Sequence, residues 1–239
     1  MSGHSKWSSI KHKKALTDAK KGKVFSKLAS LISIASKHGG DPAMNPNLRV
    51  YLDKARQAGM PKENIDRAIK RGTGELGGAT LEEVVYEAYG PGGVGIIIEG
   101  VTDNRNRTVA EIKAVLNKYS GRLADTGAVS YQFDTKGIIV VDVRDASADE
   151  ISLCAIDAGA QDVVEEDENI IVYTKPNELE NTKKTLEDSG YSVQSAEVSL
   201  EPHTTVAITP DKSQTIEKLL NQLDDLDDVT SVSTNAQIN

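Results

Sequence analysis

Apolar residues first recur at helical spacing between residues 22 and 37. Projected at about 100° per residue, Val24, Phe25, Leu28, Leu31, Ile32 and Ala35 share one face, and Lys23, Ser26, Lys27, Ser30, Ser33 and Lys37 take the other. Gly39 and Gly40 follow, where left-handed geometry closes a helix. A second helix is predicted over 46–58, burying Leu48, Leu52 and Ala55 and ending at Gly59. Pro61 stands where a proline can open a third helix. That helix turns Ile65, Ala68 and Ile69 inward and Arg67, Lys70 and Arg71 outward, and stops at Gly72. Three short helices with small connections predict a compact bundle.

Beyond a Gly/Thr-rich linker at 73–80 the pattern changes to alternation. Strands are predicted at 83–89, 94–101, 128–133, 137–143, 162–165, 170–173, 191–199, 204–209 and 229–234, with helices at 107–119, 148–158, 178–189 and 213–226. From 137 to 200 the order is β-α-β-β-α-β, the ferredoxin-like arrangement. With that block removed, the flanks read β-α-β over 94–133 and β-α-β over 204–234. Joined, they make a second ferredoxin-like unit, with 83–89 as an additional strand. The predicted fold class is therefore α+β: a three-helix basic head, then two ferredoxin-like domains, one inserted in the other. The expected divisions are 1–78 for the head, 79–135 plus 204–239 for the split domain, and 136–203 for the insert.

Charge changes this picture more than composition does. The 239 residues carry a formal net charge of −8, but the charge is unevenly spread. Residues 1–78 hold sixteen Lys+Arg against six Asp+Glu, a net of +10, and the remainder holds twelve against thirty, a net of −18. Asp18 is the one acid among the first 38 residues. Such asymmetry points to a polyanionic partner for one end of the chain. No apolar run reaches the roughly 18 residues of a membrane helix, and the lysine-rich start lacks the apolar segment of a secretory signal. The single cysteine excludes an internal disulfide framework and a multi-cysteine metal site. A reducing, cytoplasmic setting is expected.

The candidate binding residues lie in the head. Residues 1–21 read as a basic arm, in which Lys6, Lys11, Lys13, Lys14 and Lys20 neutralise phosphate beside His4 and His12. Trp7 either stacks on a base or anchors the arm to the bundle. Lys23 and Lys27 on the first helix, with Arg67, Lys70 and Arg71 on the third, extend the same surface.

Other motifs read blandly. The loop Gly90-Pro91-Gly92-Gly93 leads into Ile96-Ile97-Ile98, which is strand material, so it is a β-turn and not a phosphate loop. Thr108 with Glu111 has the form of a capping box. Arg105 and Arg107 are read as surface charges, with a second phosphate contact as the alternative. The acidic runs 165–168 and 224–228 match no calcium loop. Cys154, inside a predicted helix, is expected to be a small buried hydrophobe. No catalytic constellation emerges, and neither a cofactor nor a small-molecule substrate is expected.

The chain also resembles the YebC/PmpR family. The likeness is carried by Gly3-His4-Ser5-Lys6-Trp7, Ile10-Lys11-His12-Lys13-Lys14, the block Asp18 to Lys23 with Phe25 to Lys27, and Arg67 to Gly72. It continues through Tyr86-Glu87, Tyr89 to Gly93, and Thr102 to Glu111. The resemblance implies a three-domain cytoplasmic bacterial protein without known catalytic activity. It further implies either a DNA-binding transcriptional regulator or a ribosome-associated factor that eases synthesis of stall-prone, proline-rich chains through rRNA. The mitochondrial members are translational activators of cytochrome oxidase. Ala88 stands where the family motif has glycine, and Ser120, Arg122 and Ala124 weaken its glycine-rich stretch. The residues alone lean slightly toward RNA and the family assignment toward DNA. The expected partner is nucleic acid, DNA or ribosomal RNA, with the ribosome itself a candidate and no membrane involved.

Overall fold

The computed structural model describes residues 18–77, 80–143, 147–166 and 168–237, with side chains from Lys21 onward. Helices α1 (Asp18–Ser36), α2 (Pro46–Gln57) and α3 (Lys62–Gly72) come first. Then follow β1 (Glu82–Tyr89), β2 (Gly95–Thr102), α4 (Arg105–Lys118), β3 (Arg122–Leu123) and β4 (Phe133–Asp142). Next are α5 (Ala148–Asp157), β5 (Asp162–Glu166), β6 (Asn169–Thr174), α6 (Leu179–Asp188) and β7 (Ser192–Pro202). The chain closes with β8 (Val206–Ala207), α7 (Pro210–Asp224), β9 (Val229–Thr234) and β10 (Ala236–Gln237).

These elements divide between two compact units. One comprises Tyr131–Val206 and Ser233–Gln237, the other the described residues from 18 to 130 together with Ala207–Val232. In the first unit the sheet order is β5-β6-β4-β7, with β4 antiparallel to both neighbours. With helices following its first and third strands, this is the ferredoxin-like order. Ile139, Val141, Ile170 and Val172 alternate onto the face covered by Ile151 and Ala155 of α5 and Leu179 and Leu186 of α6. Cys154 packs at the margin of that core, half-buried and not fully enclosed as expected.

The second sheet runs β3-β1-β2-β9. Antiparallel β1 and β2 pair from Glu82↔Thr102 to Tyr89↔Gly95 across the turn Pro91–Gly93, where Gly92 and Gly93 take φ of 82° and 79°. That is a hairpin, as the run of isoleucines after it required. The order is again ferredoxin-like, with one exchange. The sequence pattern assigned the third strand position to 204–209 and treated 83–89 as an extra. In the fold β1 occupies that position, between β2 and β3, and β8 pairs in a two-stranded ribbon with β10. Residues 128–132, ahead of Phe133 at the start of β4, form no strand either. They hold a loop and a 3-10 turn at Ser130–Gln132, and the strand after α4 is the two-residue β3. Gly90 packs against Ile96 and Leu219 of α7, while Val101 clusters with Leu81 and with Ile34 of α1. Coverage on both faces explains why β2 is continuously apolar.

The helical head buries Leu28, Ile32 and Ala35 of α1 with Leu48, Leu52 and Ala55 of α2 and Ile65 and Ala68 of α3. Because Ile34 also packs against Leu81 and Val101, α1 is enclosed on more than one side, and Ile32 to Ser36 are all buried. Ser33, expected on the polar face, is 2% exposed. Its hydroxyl donates to the carbonyls of Ala29 and Ala68, each at 2.8 Å. Gly72 completes the contact: a Cβ there would lie 2.1 Å from the Ser33 carbonyl oxygen, so α1 and α3 meet backbone to backbone.

Candidate nucleic-acid interface

The close approach of α1 and α3 leaves an open groove of about 400 Å³. Phe25, Ser26 and Ala29 of α1 form one wall and Asn64, Arg67 and Arg71 of α3 the other, with Met60 among the lining residues. None of the lining residues is acidic. Arg67 and Lys70 are exposed, and neither has an ionic partner among the described residues. Arg71 reaches Asp103 at 3.8 Å with both side chains partly exposed, a contact worth about 0–1 kcal/mol. Lys62, which sequence reasoning passed over, is a further exposed cation on α3. Glu63 and Asp66 are exposed on the same helix but do not line the groove.

Two of the expected phosphate contacts serve the fold. Lys27 has a side chain 16% exposed; its Nζ lies 3.0 Å from Asp224 Oδ1 and also donates to the Asp224 carbonyl. Lys23 donates to the Asp225 carbonyl at 3.0 Å and lies 3.5 Å from that residue's carboxylate. These carbonyls end α7, where unpaired oxygens and the helix dipole both favour a cation. The two lysines thus tie α1 to the last helix, although Lys23 remains half exposed. His4, Lys6, Trp7, Lys11, His12, Lys13 and Lys14 lie outside the described residues, as does the side chain of Lys20.

The acidic run 224–228 is equally occupied. Asp228 accepts two contacts from Arg107 Nη2, at 2.8 and 2.9 Å, and one each from the hydroxyls of Thr108 at 2.7 Å and Thr102 at 3.1 Å. Burial pushes its carboxyl pKa upward. The Arg107 guanidinium and the two hydroxyls outweigh that and hold it below the ordinary carboxylate range. Arg105 pairs with Glu82 at 2.7 Å. Both arginines of this loop are therefore engaged by carboxylates. Thr108 is not the helix cap that its spacing with Glu111 implied. Asn104 caps α4, its side chain accepting from the Arg107 N–H at 3.2 Å, and Thr108 is buried one turn in. Among the described residues no group of three or more His, Cys, Asp or Glu is placed to hold a metal ion. No helix among them is long and apolar enough to cross a membrane.

Comparison with known proteins agrees with the fold. A family model described as the TACO1/YebC protein N-terminal domain matches residues 5–75, and one described as the TACO1/YebC second and third domain matches residues 81–236. A probable transcriptional regulatory protein of Trichlorobacter lovleyi is 48% identical over 239 residues, covering 100% of this chain and 96% of the relative. One from Sulfurihydrogenibium sp. is 50% identical over 241 residues, at 100% and 96% coverage. The crystal structure of a conserved hypothetical protein from Aquifex aeolicus superposes with a TM-score of 0.89 at 46% identity, covering 98% of each chain.

Proposed function

The chain belongs to the TACO1/YebC family, and on that premise we propose that it regulates gene expression by binding nucleic acid, without catalysing a reaction. The observation that carries this reading is the segregation of charge: +10 over residues 1–78 and −18 over the rest. Within the basic part, Arg67 and Lys70 stand exposed with no carboxylate neutralising them among the described residues. In the acidic part Arg105 and Arg107 are paired. An excess of cations at one end of the chain attracts a phosphate backbone, while the net −18 repels it elsewhere, so binding is one-sided. Lys6, Lys11, Lys13, Lys14 and Lys20, with His4 and His12, supply phosphate contacts in this reading. The outer face of α3, through Arg67, Lys70 and Arg71, adds to them, and Trp7 stacks or anchors. Lys27 holds the fold together instead.

The names of the relatives support DNA as the target, since they are called probable transcriptional regulatory proteins. Phosphate contacts of this kind position a protein without reading sequence, so structured RNA presents the same chemistry. Titrating the full chain into fluorescent duplex DNA and into a structured RNA of equal length, each against the other as competitor, separates the two. The reading predicts binding to at least one, with DNA preferred. It also predicts loss of that binding when Lys6, Lys11, Lys13 and Lys14 are changed to glutamate with circular dichroism unaltered. Retained affinity in that variant would contradict it.

A further inference from the structure

The groove between α1 and α3 has a chemistry that phosphate contact alone does not need. Phe25 is half-buried and lines it, so one part of its ring is packed and another faces the opening. Met60, 6% exposed, and Ala68 supply apolar surface, while Asn64 brings an amide able both to donate and to accept. Arg67 and Arg71 stand on the same side. We propose that this groove holds one unstacked nucleobase of the bound nucleic acid, its ring against Phe25, its edge toward Asn64, and the flanking phosphates on Arg67 and Arg71. The inference rests on the nucleic-acid reading above and adds a site for a base.

Three observations select this occupant. A nucleotide is apolar across its ring and anionic at its ends, which matches an aromatic and thioether lining beside two guanidiniums. The charge disfavours a lysine-rich peptide, because the arginines repel it and no lining residue is acidic. The volume of about 400 Å³ falls within the roughly 300–1,000 Å³ of small-ligand sites. The groove is also preformed. The Gly72–Ser33 approach and the Ser33 hydroxyl bond to Ala68 fix the separation of the two helices, so the base enters without repacking.

The test compares two end-labelled duplexes, identical except that one carries a single unpaired nucleotide, by fluorescence anisotropy with the full chain. The bulged duplex is expected to bind more tightly. Phe25→Leu keeps the apolar volume but removes the ring, and is expected to weaken the bulged complex roughly tenfold while leaving the perfect duplex unchanged. Asn64→Ala, outside the head core, is expected to reduce the same preference, and guards against a folding defect in the first variant. Equal binding of both duplexes, unmoved by either substitution, overturns the base site and leaves the phosphate reading standing. Binding to neither duplex, whether made as DNA or as RNA, removes both. Loss of the bulge preference on reversing Arg67 alone, with Phe25→Leu silent, assigns the groove to phosphate only and also overturns the proposal.

Discussion

Glu87 offers a direct measure of what one buried carboxylate contributes. It is 6% exposed in the middle of β1 and accepts three backbone N–H groups from the loop that follows β3. Gly127 donates to Oε1 at 2.7 Å, and Val129 and Ser130 donate to Oε2 at 2.5 and 2.9 Å. Burial raises the pKa of this carboxyl, but the three N–H groups and the Ser130 hydroxyl together overcome it and leave the pKa below its ordinary value. Glu87→Gln keeps the volume but has one acceptor oxygen, so at least one N–H must face an NH2 group. Losing a charge-assisted bond costs about 1.5–3 kcal/mol, and demoting another to a neutral bond brings the total to about 2–4 kcal/mol. Urea unfolding of the full chain, read as midpoint and slope, gives the number. Hydrogen exchange at Gly127, Val129 and Ser130 shows whether the loop is the part released. The pH dependence has a defined sign. A folded pKa below the unfolded one contributes stability that is complete above the unfolded value of about 4.3 and disappears as pH falls through the folded value. The gap between wild type and variant should close in that acidic window. A difference below about 0.5 kcal/mol at neutral pH, with unchanged exchange, would refute the reasoning.

Other perturbations follow from the same contacts. Gly72→Ala should lower stability by about 1–3 kcal/mol despite alanine's better helix propensity, because its Cβ meets the Ser33 carbonyl; a thermal melt by circular dichroism measures it. Ser120 is exposed with φ of 59°, so Ser120→Gly should stabilise by about 1 kcal/mol in the same assay, and no change would remove the strain argument. Asp228→Asn should loosen the anchoring of α4. The Asp228 pKa is held below its ordinary value, so the variant's deficit should be full at neutral pH and vanish as pH falls below the wild-type pKa, as followed by intrinsic tyrosine fluorescence.

Local signals were enough for the helices and for the insert. The three head helices and the βαββαβ run come from periodicity, turn residues and Gly or Pro at element ends, all written within a few residues of the structure they specify. What local pattern could not supply is non-local pairing. Lys27 and Lys23 find their carbonyl partners 197 and 202 residues away, so an apparent surface lysine is an anchor. Thr108 carries a capping spacing, yet its hydroxyl is taken by Asp228, 120 residues distant. Ser33 reads as polar face because its partner is a carbonyl on another helix. The third strand position of the split sheet goes to β1 because the hairpin brings β1 beside β2, whereas the later run at 204–209 keeps only two residues of strand. The candidate interface was legible as charge. The groove was not, since it depends on the spacing of two helices set by one glycine.

The central claim is that the excess positive charge of the head carries the phosphate contact. It is tested most directly by the salt dependence of nucleic-acid affinity in the double variant Arg67→Glu with Lys70→Glu. Each lost contact removes about 0.9 from the slope of log affinity against log salt. The account therefore predicts a slope shallower by about 2, weaker binding at every salt concentration, and an unchanged thermal melt, since both side chains are exposed and have no ionic partner among the described residues. A variant that binds with the wild-type slope would show that the charge on this helix has another use.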